Sequence, residues 1–287
     1  MKRVLFFFSI ALATQCQEDS GSKDDKKEQT REIPQGVQIG FLNIDGEISS
    51  SMEFVLSLKT FLAEPSIKGL LLRINSGGGA PAASWHMYNE LLHFKKYKPV
   101  VAIVENAAAS GAYWVACGAN KIITAPVSDI GSIGVYLRYH TQQNRRIQHR
   151  DGLCADIEPH VLSRGKYKAA NVEGLGMTDI QIELQNRLLD QHYKAFCEHV
   201  AVARGLSLEE ASVWAEGREF IGTEAVIIGL ADHVGSITDA EKILSELLPV
   251  YRMETECKNI VYMQPDGTVL PYNKLIDKED GLINTLF

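Results

Sequence analysis

Gly69-Leu70-Leu71-Leu72-Arg73-Ile74-Asn75-Ser76-Gly77-Gly78-Gly79 decides the fold. From Leu70 to Leu72 the run shows no polar alternation, which is the pattern of a strand buried on both faces. It then runs into three consecutive glycines, which let the backbone turn sharply and leave its N–H groups uncovered. A strand buried on both faces needs helices above and below it, and the flanking sequence supplies them. Met52–Ala63 has helical spacing through Phe54, Leu56, Leu58 and Leu62. Pro81–Lys95 is also helical, with Pro81 in the first turn, where a missing N–H costs nothing. Val37–Asn43, Pro99–Val104 and Lys121–Ala125 read as further strands, and a small-residue helix is expected from Ser110 to Ala119. Alternating strands and helices with wholly apolar strands predict an α/β fold, a parallel sheet of βαβ units with helices on both faces.

Downstream the pattern changes. Asp45-Gly46 is a turn signal after the first strand, and Tyr136–Leu162 reads as irregular or antiparallel. Thr178–Arg204 predicts a long helix opened by a capping box of Thr178 with Gln181. Ile180, Leu184 and Leu188, followed by Leu189, Tyr193, Phe196 and Val200, keep one apolar face along it. Ser207 with Glu210 predicts a second capping box. There is no internal repeat, and Val250–Phe287 is weakly patterned and suggests no function.

The 287 residues carry a net charge of −7, which argues against a nucleic-acid partner. Arg138, His140, Arg145, Arg146, His149 and Arg150 form a local basic stretch that reads as a solvated loop or subunit contact rather than an anion site. Residues 1–15 read as a leader: Lys2 and Arg3 precede an apolar run, Val4–Ala13, too short to span a bilayer. Cleavage after Ala13 fits the Ala11-Leu12-Ala13 pattern. Cys16 offers a second route, lipid attachment, although Gln15 stands where a small residue is usual. Residues 16–35 are almost wholly polar and read as a disordered tether. A leader followed by a tether implies export to the periplasm or a membrane-associated cell envelope. The expected domain is residues 36–248, with 249–287 an extension. Cys117, Cys154, Cys197 and Cys257 lack metal-type spacing, no disulfide can be assigned, and no cofactor or metal is expected. Cys117 reads as a core residue.

Two glycine-rich elements follow consecutive buried strands. The triglycine run suits binding an oxyanion and lacks both the Gly-Lys-Ser/Thr ending and the Gly-x-Gly-x-x-Gly spacing of phosphate loops. The second element is Glu105-Asn106-Ala107-Ala108-Ala109-Ser110-Gly111-Ala112-Tyr113-Trp114. Ser110 stands there at a helix start among residues too small to cover it. Alone it would read as an N-cap; beside an oxyanion loop it reads as a nucleophile for acyl transfer. The base is then sought downstream. Ile130-Gly131-Ser132-Ile133-Gly134-Val135 contains no histidine, His140 and His149 lie in the basic loop, and His86 and His93 fall on a surface helix. Ser163-Arg164-Gly165-Lys166-Tyr167-Lys168-Ala169-Ala170 offers two lysines, either of which would have to be neutral to act.

Taken in order, these motifs resemble the SppA-type signal peptide peptidase (protease IV) family, whose relatives include SohB and phage capsid proteases. Ile74–Gly79 resembles the family's Asn-Ser-Pro-Gly-Gly loop, with Gly77 in place of proline. Ala108–Tyr113 resembles its nucleophile motif, with Ala112 where a second glycine is common. Gly131–Val135 fits unaltered. Gly165-Lys166-Tyr167-Lys168 resembles the segment that supplies the base, without the proline often found after it. Gly217-Arg218, Gly222, Ala225 and Gly229-Leu230-Ala231-Asp232 resemble the closing segment. The resemblance covers roughly residues 37–245. It implies a ClpP/crotonase-like fold and a Ser-Lys dyad serine peptidase in which Ser110 attacks and Lys168 takes the proton. It also implies an oxyanion hole, for which the N–H groups of Gly78 and Gly111 are the candidates, and gives Ser132 a supporting role orienting the lysine. Implied with it are a homo-oligomeric ring, association with the membrane, and substrates that are cleaved signal peptides or other unfolded, apolar peptides. Rival readings are a crotonase-like acyl-CoA enzyme, a phage-type capsid maturation protease, and an inactive peptide-binding scaffold.

Overall fold

The computed structural model describes residues 37–137, 145–148, 154–157, 177–248, 260–263 and 269–271. Four strands form the centre of the main sheet: β1 (Val37–Ile48), β2 (Ile67–Gly79), β3 (Val100–Ala109) and β4 (Lys121–Thr124). They run parallel in that order. Between them lie α1 (Met52–Ala63), α2 (Pro81–Phe94) and α3 (Gly111–Ala116). The expected α/β fold, a parallel sheet with helices on both faces, is the one observed.

The burial pattern explains why these residues form a two-faced sheet. Leu70, Leu72 and Ile74 of β2, with Val100, Ala102 and Val104 of β3, enter the larger core under α1, α2 and α3. Their alternates Leu71, Val101 and Ile103 point to the other face. There they meet Ala240 and Leu244 of a helix that is α7 in chain order (Ile237–Leu247). Side chains alternate along a strand, so a strand covered on both faces must be apolar at every position. Gly40 of β1 is needed for a different reason: a Cβ there would lie 2.6 Å from Phe61 Cδ2 of α1.

Beyond β4 the chain adds β5 (Asp129–Gly131), the antiparallel hairpin β6 (Arg145–Gln148) and β7 (Cys154–Ile157), and α4 (Asp179–Arg204). A 3₁₀ turn (Leu208–Glu210), α5 (Ala211–Trp214), β8 (Glu219–Ile221), α6 (Gly222–Ile227) and β9 (His233–Val234) follow. The capping box of Thr178 and Gln181 is present. The one expected at Ser207 and Glu210 is not: Ser207 Oγ accepts from Glu209 N–H, because the chain makes a 3₁₀ turn there instead of entering an α-helix. Only the C-terminal part of α4 reaches the core, through Phe196, Cys197, Val200 and Ala201. Ile180 and Leu188 are exposed, so the apolar face read along the whole helix is covered over half its length. The weakly patterned Val250–Phe287 contributes β10 (Ile260–Met263), parallel to β1, and β11 (Val269–Pro271), antiparallel to β10. Among the described residues no helix is long and apolar enough to cross a membrane.

Two charged staples hold this arrangement. Arg73, midway along β2, donates to Asp45 of β1 at 2.7 Å and to Glu105 of β3, joining the three central strands where they begin to diverge. On the other side, Asp232 accepts from Arg204 Nη1 at 2.9 Å, Ile122 N–H at 2.8 Å and Lys121 Nζ at 3.0 Å. Burial alone would raise the Asp232 carboxyl, but the Arg204 charge and these donors hold it below the ordinary aspartate value of 3.8. A depressed pKa means that the carboxylate stabilises the fold at every pH above the unfolded value. That contribution is lost as pH falls through the folded pKa. Asp232→Asn should cost about 1–3 kcal/mol at neutral pH, since it leaves Arg204 largely buried beside a neutral group. Urea unfolding at pH 7 and in mild acid checks this, with the gap between wild type and variant closing below a pH of about 4.

Candidate active site

The site lies where β2 and β3 leave the main sheet. The β1–β2 pairing shifts register between Asp45 and Glu47, and the β2–β3 pairing between Ile74 and Ser76. Such irregularities re-aim the chain. After its shift, β2 presents Gly78 and Gly79 against Glu47 and Ile48 of β1. β3 pairs with β4 through Val101–Val104 and then with β5 through Ala107–Ala109. Ser110 follows at once, in the turn between β3 and α3.

Glycine is required at two places in the loop and not at the third. Gly78 has φ +94°, and a Cβ there would stand 2.6 Å from Gly111 N and 2.9 Å from Ser110 Cβ. A Cβ on Gly79 would overlap the Ile48 backbone, 2.7 Å from its nitrogen. Gly77 faces open space. Gly111 is itself clasped from below, since a Cβ on it would meet Ser84 of α2. The end of β2, the turn at Ser110 and the start of α3 therefore touch backbone to backbone.

Ser110 adopts φ 52° and ψ −124°, and its side chain caps no helical N–H. The N-cap reading is thereby excluded, because a capping serine sits in the extended region with its hydroxyl on an N–H of the first turn. The conformation costs a residue with a Cβ on the order of 1–3 kcal/mol and points to function. Its own N–H donates to Gly131 O at 2.8 Å. Ser132, the supporting candidate, also has a positive φ, 48°.

A cleft of about 940 Å³ brings Ser110, Ser132 and Gly77–Gly79 together. Gly111 adjoins it through its contact with Gly78. Glu216, Gly217 and residues of α4, among them Asp190, His192 and Tyr193, complete the wall. Of the two oxyanion candidates, Gly111 N–H lies in the first turn of α3, where helical geometry provides no acceptor. Gly78 N–H instead donates to Ser76 Oγ at 3.0 Å. Lys168, like Lys166, lies outside the described residues. Sequence reasoning passed over His192, Glu216 and the cleft-facing part of α4, which reach the site only through tertiary folding. Ser76 was visible in the loop motif, but nothing there marked its hydroxyl as the partner of Gly78.

A serine held in a strained strand-to-helix turn, beside close-packed glycine backbone and open to a cleft, is an arrangement suited to acyl transfer. The chain belongs to peptidase family S49, whose model matches residues 93–250. It is 34% identical over 193 residues to a protein of Methanocaldococcus jannaschii named as a candidate protease, covering 67% of this chain and 60% of that one. It is 29% identical over 252 residues to protease 4 of Salmonella typhi, covering 85% of this chain and 37% of the relative. The chloroplastic serine protease SPPA of Arabidopsis thaliana is 27% identical over 208 residues, 72% of this chain and 30% of its own length. The chain thus spans less than two thirds of each of these relatives.

The backbone at Ser110 can be tested by stability alone. Ser110→Gly and Ser110→Ala both remove the hydroxyl, but only glycine accepts the observed φ and ψ without strain. Ser110→Gly should be the more stable variant by about 1 kcal/mol, after allowing for glycine's greater freedom in the unfolded chain. Denaturant midpoints of the two variants measure the difference, and the reverse order would contradict the strained geometry.

Proposed function

We propose that this chain is a serine endopeptidase of the cell envelope that hydrolyses cleaved signal peptides or other unfolded, apolar peptides with a Ser110–Lys168 dyad. The observation that carries the reading is the strained, uncapped Ser110 facing the cleft. In the proposed mechanism Ser110 Oγ attacks the scissile carbonyl carbon and its proton passes to neutral Lys168 Nζ. The oxyanion is held by the N–H groups of Gly111 and Gly78, the latter exchanging its bond to Ser76 Oγ. Collapse breaks the C–N bond as the Lys168 ammonium protonates the leaving amine. Water then adds to the acyl-enzyme, giving its proton to Lys168, and Ser110 departs with that proton as the acid product forms. Ser132 orients the lysine. Desolvation would keep Lys168 neutral by disfavouring its ammonium form.

The polar residues 16–35 after an apolar leader favour export, to the periplasm or to a membrane-associated place in the envelope. The exposed apolar positions Ile180 and Leu188 on α4 suit assembly into a homo-oligomeric ring, whose enclosed sites would admit unfolded chains and exclude folded ones.

Labelling the purified protein with a fluorophosphonate probe tests the dyad. Wild type should label, Ser110→Ala should not, and Lys168→Ala should label more slowly by about 100-fold or more. Labelling that survives Ser110→Ala overturns the nucleophile. Labelling that needs Ser110 but ignores Lys168 moves the base to Lys166 or to His192, the histidine on the cleft wall.

A further inference from the structure

We propose that Tyr193 is a positioning residue for Ser110, acting through Glu216 and the Ser132 loop. The inference rests on Ser110 being the nucleophile. Three non-glycine residues among those described have a positive φ: Ser110 at 52°, Ser132 at 48° and Glu216 at 62°. All three line the one cleft. Such conformations persist only where the surroundings over-determine them.

The surroundings here form a closed circuit. Ser110 N–H donates to Gly131 O at 2.8 Å. The next residue, Ser132, donates its N–H to Arg218 O at 2.7 Å, and Gly217 N–H returns a bond to Ile133 O at 2.9 Å. These bonds zip the Ser132 loop to the Glu216–Arg218 loop. At the far end of the zip the Tyr193 hydroxyl accepts from Glu216 N–H at 3.3 Å and donates to Glu216 Oε1 at 3.0 Å. Tyr193 stands on α4 one turn before Phe196, whose ring stacks on Trp114 with centroids 4.6 Å apart. Trp114 N–H donates to Ser110 O at 3.0 Å, which closes the circuit on the other side of the nucleophile.

Glu216 shows what this link requires. Glycine would take its φ freely, yet the position holds a residue whose side chain and N–H both reach one phenol. Burial pushes the Tyr193 hydroxyl up to about 12, so it remains a donor at neutral pH. The Tyr193–Glu216 bonds are exposed, so they add little to global stability. Their effect falls on the angle at which Ser110 and Ser132 are presented.

The experiment compares Tyr193→Phe, Glu216→Ala, Glu216→Gln and Ser110→Ala in the full chain. It measures kcat and KM on an unstructured apolar peptide, fluorophosphonate labelling rate and thermal unfolding. Tyr193→Phe, which removes both bonds to Glu216, should lower kcat and labelling rate by about tenfold, with KM and the unfolding temperature nearly unchanged. Glu216→Gln keeps an oxygen for the phenol and should retain the wild-type rate. The double variant Tyr193→Phe with Glu216→Ala should be no slower than Tyr193→Phe alone, because Tyr193→Phe already removes both bonds of the link. A wild-type kcat in Tyr193→Phe, a loss confined to KM, or losses that multiply in the double variant would each overturn the positioning role. If Tyr193→Phe fails to fold, Glu216→Ala decides: a lowered kcat in a folded protein supports the role and a wild-type kcat overturns it. Ser110→Ala separates the two readings. Activity surviving in it removes the nucleophile and this inference together, whereas an inert Ser110→Ala beside a fully active Tyr193→Phe removes the inference alone.

Discussion

No side chain fits between the end of β2 and the start of α3. Gly78 meets the nitrogen of Gly111 and the Cβ of Ser110, Gly79 meets the Ile48 backbone, and Gly111 meets Ser84. Three segments distant in sequence therefore approach with no side chain between them. This contact fixes where the turn at Ser110 can be, and with it the strained conformation of that serine. A methyl group at Gly78 would push apart the surfaces that hold the turn. The same closeness brings the main-chain nitrogen of Gly111 beside Gly78, and a main-chain N–H is a donor type able to hold an oxyanion without reorganising.

The sheet is built so that this contact can form at its end. Below the site the strands are apolar on both faces and sealed by helices, which makes them a rigid mount. Arg73 marks the boundary, joining Asp45 and Glu105 on its two neighbours just before the register shifts begin. Above it the strands part, β3 exchanges β4 for β5, and the glycines turn in. On the far side Asp232 and Arg204 tie α4 to β4, while the Tyr113 hydroxyl donates to Leu230 O at 2.8 Å and brings the same segment under α3. The helix that follows Ser110 and the helix walling the cleft are thus held to one chain segment.

The sequence shows these features unevenly, and the reasons are physical. β2 and β3 are legible because burial on both faces leaves a continuous apolar run, and Ser110 because small residues flank it after such a run. The Thr178–Gln181 box is local chemistry and is read correctly. The same pattern at Ser207 fails because the chain needs a tight turn there, set by what packs around Trp214. The apolar face of α4 continues past the residues that have anything to pack against, so periodicity alone overstates its burial. Tyr193, His192 and Glu216 join the cleft only when α4 folds across it, and β10 is too short to announce itself without its partner. Lys168 rests on resemblance to the family, since spacing by itself does not distinguish it from Lys166.

The pairing of β1 with β10 bears on how the chain acquires its structure. Val37, the first described residue, takes its outer neighbour from Ile260, far along the sequence. During synthesis β1 emerges well before its outer neighbour and must wait, one edge unpaired, until Ile260–Met263 has been made. An open apolar strand edge is a template for wrong partners, and contacts so distant in sequence form slowly. The interval between making β1 and closing its edge is therefore the vulnerable stage of this protein's biogenesis, and a chain cut short before Ile260 would keep that edge exposed.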